Sequence, residues 1–211
     1  HGFADKLTGP HWPTEALAAS WQSRLATIPW AVALQQYNLL DSHDTPRIRT
    51  TVGENDALHR LAAVVLLTFP GVPGLYYGDE IGMTDVERLG ARGCMVWDET
   101  RWNQPLHAFH RDLIHLRRRS SALQRGGFQL LLVEDDTIAY QRDSADERIL
   151  VFAHRGASPR PAGGVPIDHA GVPDGARFVD ALGGAEFVVA NGTLPLPELP
   201  QGALICQQIA P

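Results

Sequence analysis

A group of ionisable side chains follows a short apolar run in the first quarter of the chain. Leu39 and Leu40 lead directly into the sequence DSHDTPR over residues 41–47. This pattern is typical of a buried parallel strand whose carboxyl end opens into a site. His43 and Asp44 are adjacent, so we expect them to point apart and to bind two neighbouring groups of one ligand. The same residue types also favour a solvated turn, and this segment alone leaves both interpretations open.

A second segment with the same plan follows. Residues 70–82, PGVPGLYYGDEIG, combine turn residues, a short apolar strand and a polar end. Between the two segments, residues 56–68 are long and apolar enough for a helix, with Asn55 or Asp56 as its N-cap. Strand, helix and strand in this order predict a right-handed βαβ unit, in which ligands bind at the carboxyl ends of the strands.

Together the two motifs resemble the last conserved regions of the α-amylase family of glycoside hydrolases. Residues 40–47 are similar to the end of barrel strand seven, residues 71–80 to barrel strand eight, and residues 95–98, MVWD, supply a third match. Within the family, the motifs are most similar to those of bacterial maltodextrin glucosidase, followed by cyclomaltodextrinase and neopullulanase. The resemblance implies an α/β plus all-β chain, namely the C-terminal portion of a (β/α)8 TIM barrel followed by an antiparallel β-sandwich.

The predicted elements divide the chain into two domains. Residues 1–124 form the barrel part, irregular over residues 1–12 and then mainly helical, with Thr14 as a predicted helix cap. Residues 125–211 form the β-sandwich, because short alternating segments separated by turns are typical of such domains. Residues 156–175 are predicted to be a loop. The predicted helices cover residues 14–26, a short segment after Pro29, 56–68 and 102–119; the predicted sandwich strands cover residues 128–133, 137–142, 148–154, 177–180, 186–189 and 203–209.

The resemblance assigns roles to Asp44 and His43. Asp44 matches a family aspartate that does not attack the substrate but holds the hydroxyls of the sugar being cleaved. Hydrogen bonds to the 2-hydroxyl strengthen in the oxocarbenium-like transition state. His43 is implied to donate to the hydroxyls of the same sugar.

Arg92 matches an arginine that helps to hold the non-reducing end of the sugar. In the family it works with an aspartate four residues earlier. Arg88 occupies that position here, so the chain departs from the pattern, and Asp85 or Glu87 is left as a substitute.

Several other candidates receive structural roles. Arg47 either pairs with a carboxylate outside this chain or fixes its own loop, and we favour the loop. Asp79 and Glu80 are adjacent and point apart, so we expect structural hydrogen bonds rather than an acid–base pair. Trp97 and Trp102 could stack on sugars, but packing between the two domains is the favoured expectation.

The chain lacks part of the chemistry that the family requires. A retaining glycosidase uses a nucleophile and a general acid about 5 Å apart, and no segment here resembles either motif. We therefore expect the C-terminal part of a longer retaining α-glucosidase that acts on α-1,4-linked maltodextrins, inactive on its own. The alternatives are a cyclomaltodextrinase or neopullulanase type of enzyme, or a catalytically inactive α-amylase-like binding subunit.

Composition limits the partners and the compartment. The 211 residues carry a net charge of −6, which argues against nucleic acid and against an anionic membrane. Cys94 and Cys206 have no metal-like or redox spacing, which weakly favours the cytoplasm. No cofactor and no metal are expected. The expected partners are an α-1,4-glucan or maltodextrin substrate and the upstream barrel portion of the same protein, because a cut barrel leaves open strand edges.

Overall fold

The computed structural model describes residues 12–209. Residues 1–11 and 210–211 lie outside the described part, so nearly all of the segment predicted to be irregular cannot be compared. Thr14 does not cap the first helix, because Pro13 occupies the N-cap and the Thr14 hydroxyl donates to the carbonyl of Asp135. The helices are α1 (Thr14–Ala26), α2 (Trp30–Ala33), α3 (Ile48–Thr51), α4 (Asp56–Thr68), α5 (Gln104–Arg119) and α6 (Ser121–Arg125), with short 3₁₀ turns at Asp79–Ile81, Glu99–Arg101 and Asp168–Ala170.

The strand–helix–strand unit is present. Strand β1 (Tyr37–Leu39) pairs in parallel with β2 (Val72–Gly74), and α4 connects them. The side chain of Asn55 accepts a hydrogen bond from the amide of Leu58 at 3.1 Å, so Asn55 is the N-cap of α4. Because the strands are parallel, the segments that follow them leave the same edge of the sheet, as the sequence predicts.

A six-stranded antiparallel sheet follows, in the order β3-β4-β5-β10-β7-β8. All six strands predicted for this region are confirmed. The prediction of a continuous loop over residues 156–175 is wrong, because this segment contains β6, which pairs with β9. The strands are β3 (Gly127–Glu134), β4 (Thr137–Asp143), β5 (Arg148–His154), β6 (Gly163–Pro166), β7 (Arg177–Asp180), β8 (Glu186–Val188), β9 (Thr193–Leu196) and β10 (Gly202–Gln208).

Each face of the six-stranded sheet buries an apolar layer. On one face, Tyr140 and its neighbours pack against the helices, and the Trp21 ring of α1 lies 5.9 Å from the Tyr140 ring. On the other face, Phe152 and Phe178 pack with Val165 and Leu194 of the β6–β9 pair. The alternation of side chains along a strand produces these two layers. None of the helices within residues 12–209 is long and apolar enough to span a membrane.

Candidate active site

The loop after β1 carries His43 and Asp44 at the surface. Their side chains are 62% and 67% exposed, and His43 Nε2 lies 3.3 Å from Asp44 Oδ2. The expectation that the two side chains point apart is therefore wrong. The loop turns tightly, because Thr45 Oγ1 accepts from the Ser42 amide, and the turn brings the two side chains to the same side.

Arg92 reaches this loop from the segment after β2. Its Nη2 donates to Asp44 Oδ1 at 2.7 Å. His43, Asp44 and Arg92 are thus brought together, each side chain more than half exposed. A carboxylate flanked by an imidazole and a guanidinium can accept hydrogen bonds from hydroxyl groups of a ligand, while its neighbours donate to other oxygens of the same ligand.

Arg47 lies beneath this cluster and is completely buried. Its guanidinium donates to the carbonyls of Tyr77 (2.7 Å) and Ala91 (3.0 Å) and to Asp79 Oδ1 (3.3 Å). It also stands 4.8 Å from the ring centroids of Tyr76 and Tyr77. These contacts join the loop of Arg47 to the segment that follows β2, which agrees with the structural role that we favour.

Asp41 is a member of the site that sequence reasoning missed. It is 3% exposed, and its Oδ2 accepts from the Ile48 amide. Its carboxyl also lies within hydrogen-bonding reach of the buried Asp79 carboxyl. Burial, followed by the negative charge of Asp41, raises the pKa of Asp79 to about 9, and burial also raises the pKa of Asp41. Each aspartate follows an apolar run, and this shared position was the available signal.

The acidic residues near Arg92 do not replace the missing aspartate. Arg88 extends into solvent beside Glu87, and Asp85 accepts from the backbone amide of Arg47 at 3.1 Å. Neither Asp85 nor Glu87 contacts Arg92 among the described residues. Glu80 has the structural role expected of it, since it accepts from the Gly78 amide at 2.9 Å.

The two tryptophans differ. Trp102 donates from its indole nitrogen to the Val96 carbonyl at 2.7 Å and belongs to the folded loop. Trp97 is 81% exposed, so the expectation that it packs between the domains is wrong. Its ring is left in solvent on the segment that carries Arg92.

Within residues 12–209, no group of three or more His, Cys, Asp or Glu side chains is arranged to hold a metal ion. His59 and His110 do approach each other in the interior, with ring centroids 5.6 Å apart. Burial lowers the pKa of both, that of His59 to about 3.

Comparison with known proteins identifies the family. The family profile described as "Alpha amylase, catalytic domain" matches residues 7–128. The chain belongs to the α-amylase family. It is similar to a cyclomaltodextrinase of Geobacillus thermopakistaniensis, with 35% identity over 185 residues that cover 86% of this chain and 30% of the relative. Neopullulanase 2 of Thermoactinomyces vulgaris is 35% identical over 180 residues, covering 84% of this chain and 30% of the relative.

The fold comparison agrees. A solved structure titled "Cyclomaltodextrinase" superposes with a TM-score of 0.85 and 29% identity, over 98% of this chain and 35% of the other. The family match and this superposition fit a chain that contains a fragment of a TIM barrel. The chain spans about a third of the length of the relatives it matches.

Proposed function

We propose that the full-length protein is a retaining glycoside hydrolase that acts on α-1,4-linked glucans. The observation that carries this proposal is the meeting of Asp44, His43 and Arg92 beside the carboxyl ends of two parallel strands. This is the edge at which a (β/α)8 barrel places its chemistry. The chain supplies one of the three carboxylates that the reaction needs, and alone it is inactive.

Asp44 stabilises the transition state in this proposal. Its carboxylate accepts hydrogen bonds from the sugar hydroxyls, and these bonds strengthen as positive charge develops on the ring. Arg92 holds one carboxylate oxygen before substrate arrives, which limits the orientations that Asp44 explores. His43 donates to a neighbouring hydroxyl of the same sugar, and Arg92 also serves the non-reducing end.

Two types of enzyme and one non-enzymatic role are candidates. The names of the relatives favour a cyclomaltodextrinase or neopullulanase type of enzyme, which we place first. An α-glucosidase that releases glucose stepwise from maltodextrins is second, on the similarity of the motifs to those of maltodextrin glucosidase. The third possibility is a catalytically inactive binding subunit, against which the intact His43 and Asp44 argue.

The organisation of the chain belongs to the same proposal. Residues 1–124 are the C-terminal part of the catalytic barrel, and residues 125–211 are a β-sandwich domain in which the β6–β9 pair covers one face of the six-stranded sheet. The upstream barrel portion of the same protein is its structural partner, and neither nucleic acid nor a membrane is. We also propose a cytoplasmic location, which the two free thiols, Cys94 and Cys206, support.

The test is product analysis with the full-length protein. Maltotriose, a cyclomaltodextrin and pullulan are incubated separately, and the products and their anomeric configuration are followed over time. Cleavage of the cyclic substrate or of pullulan supports the first candidate, and stepwise glucose release from maltotriose alone supports the second. Absence of turnover on all three substrates would contradict the proposed activity and favour a binding subunit.

A further inference from the structure

Three buried charged side chains meet below the Asp44 loop. Asp41 and Asp79, here called the buried carboxyl pair, are 3% and 2% exposed, and Arg47 is fully buried. Asp79 Oδ1 lies 3.3 Å from Arg47 Nη1, and the two carboxyls are within hydrogen-bonding reach of each other. The second oxygen of Asp41, Oδ1, is buried and receives no hydrogen bond from any residue that the structure describes.

The charge balance of this cluster requires one proton. Two ionised carboxyls and one guanidinium would bury a net negative charge, which is costly in a low-dielectric interior. One proton on the pair makes the cluster neutral and supplies the donor that Asp41 Oδ1 lacks. Like-charged carboxyls in contact share a proton for the same reason.

The cluster also links the two loops of the site. Arg47 follows Asp44 in the first loop, and its guanidinium donates to the carbonyl of Ala91, whose neighbour Arg92 contacts Asp44. Asp41 accepts from the Ile48 amide and so holds the other end of the first loop. A displacement of Arg47 would therefore move both Asp44 and Arg92.

We propose that Asp41 and Asp79 share one proton and, with Arg47, form a positioning site. This site holds the two loops so that Arg92 contacts Asp44. This inference rests on the proposed function for its catalytic consequence, but the shared proton does not depend on it. Loss of the proton at alkaline pH leaves two repelling buried carboxylates, loosens both loops and weakens substrate binding before it weakens the chemical step.

Among the described residues, three charged groups act on the buried carboxyl pair, namely Arg47, Asp85 and Glu80. Arg47 favours ionisation, since its positive charge lowers the pKa of both carboxyls. Asp85 acts on Asp41 and Glu80 acts on Asp79, and both raise the pKa. Burial is the largest influence on each carboxyl, so the direction of the shift is upward for both.

The test uses the full-length protein and two readouts. Isotope-edited infrared spectra of ¹³C-aspartate protein are recorded from neutral to alkaline pH, and the pH dependence of kcat and KM is measured in parallel. Asp79→Asn and Asp41→Asn are compared with Asp112→Asn, which removes an exposed carboxylate on α5. An asparagine amide donates permanently to the remaining carboxyl, so each variant replaces the shared proton by a fixed donor.

We expect a protonated-carboxyl band at neutral pH that disappears at alkaline pH in the wild type and in Asp112→Asn, and that is missing in both pair variants. We expect KM of the wild type to rise at alkaline pH, and we expect this rise to disappear in Asp79→Asn, because the amide donor does not titrate. If the wild-type protein shows no protonated-carboxyl band at neutral pH, the hypothesis of a shared proton is wrong, even if no variant folds. A band combined with an unmoved KM profile overturns the positioning role, and inactivity on every glucan overturns only the proposed function.

Discussion

At the scale of single residues, the exposed side chains of the candidate site are supported by a buried arginine. Asp44, His43 and Arg92 lie largely in solvent, where an isolated ion pair is worth little. What holds their backbone in place is Arg47, which joins both loops from the interior. The stability of the site therefore depends more on the buried Arg47 than on the exposed residues that we propose to bind substrate.

Replacing Arg47 by methionine tests this dependence. The change removes the cation opposite Asp79 and leaves the carbonyls of Tyr77 and Ala91 without their donor. Breaking a buried ion pair by removing one partner costs about 3–5 kcal/mol. Hydrogen exchange of the peptides over residues 76–92 in the full-length protein should show a matching loss of protection.

Arg88→Met is the matched control, because the Arg88 side chain is 90% exposed. We expect it to change protection by no more than about 0.5 kcal/mol. Equal effects of the two substitutions would mean that burial of Arg47 does not stabilise the loops.

The residue scale also marks a limit of sequence reasoning. The roles assigned to Asp44 and His43 follow from a local pattern, which a sequence displays. The contacts of Arg92 with Asp44 and of Arg47 with Ala91 join positions far apart in the chain, and they depend on how two loops close over the strand ends. Trp97 was misjudged for the same reason, since its exposure depends on the fold of a long loop.

At the scale of the elements, helix α4 is held by hydrogen bonds at both of its ends. Its N-terminus is capped by Asn55, and its C-terminus is held by two buried arginines from other elements. Arg117 of α5 donates to the carbonyls of Leu67 and Gly71, and Arg142 of β4 donates to that of Thr68. Cations are favoured at a helix C-terminus, so these contacts lock the helix against both α5 and the antiparallel sheet.

The contact between α4 and α5 makes the folded state sensitive to acid. Both ring nitrogens of His59 are buried and have no hydrogen-bond partner within residues 12–209, and burial lowers the pKa of His59 from 6.5 to about 3. As pH falls below 6.5, the unfolded chain binds a proton that the folded protein does not, so stability is fully present above 6.5 and decreases toward pH 3. The slope is about 1.4 kcal/mol per pH unit for this histidine alone.

His59→Leu should flatten this pH dependence. Leucine occupies a similar volume and leaves no unpaired polar atom, so we expect little loss of stability at neutral pH. Protection of the α4 amides, measured by hydrogen exchange between pH 7 and 5, provides the readout. His115→Leu, on the exposed side of α5, should keep the wild-type dependence, and an unchanged slope in His59→Leu would refute the assignment to this site.

The elements were largely predictable, and the errors have a physical cause. Apolar periodicity and turn residues predict the longer helices and the strands of the six-stranded sheet. Strands β6 and β9 were missed because Gly163, Gly164 and Pro195 disfavour strands, and these two short segments pair with each other away from the main sheet. Pairing between distant short segments leaves no periodic signal to read.

At the scale of the whole molecule, the parallel sheet is small and partly exposed. In the part of the chain that the structure describes, it consists of β1 and β2 alone, and Tyr37 and Val72 are 66% and 47% exposed. Open strand edges with apolar side chains promote association with another chain. We propose that the upstream barrel portion of the same protein occupies this edge.

We therefore expect residues 1–211 expressed alone to self-associate. Sedimentation velocity at several concentrations should give a weight-average mass above that of a monomer, and adding the upstream portion of the same protein should convert the oligomers to a defined complex. A monodisperse monomer with one sharp cooperative melting transition would contradict this expectation.

The central claim is that Asp44 stabilises the transition state of α-glucan hydrolysis. The most direct measurement compares kcat for maltotriose in the full-length protein with kcat in its Asp44→Asn variant, with Asp112→Asn as the control. We predict that Asp44→Asn loses at least about a hundredfold in kcat, as removal of hydrogen bonds that strengthen in the transition state requires, while Asp112→Asn keeps the wild-type rate. An Asp44→Asn variant with undiminished kcat, in a parent that does hydrolyse maltotriose, would contradict the account.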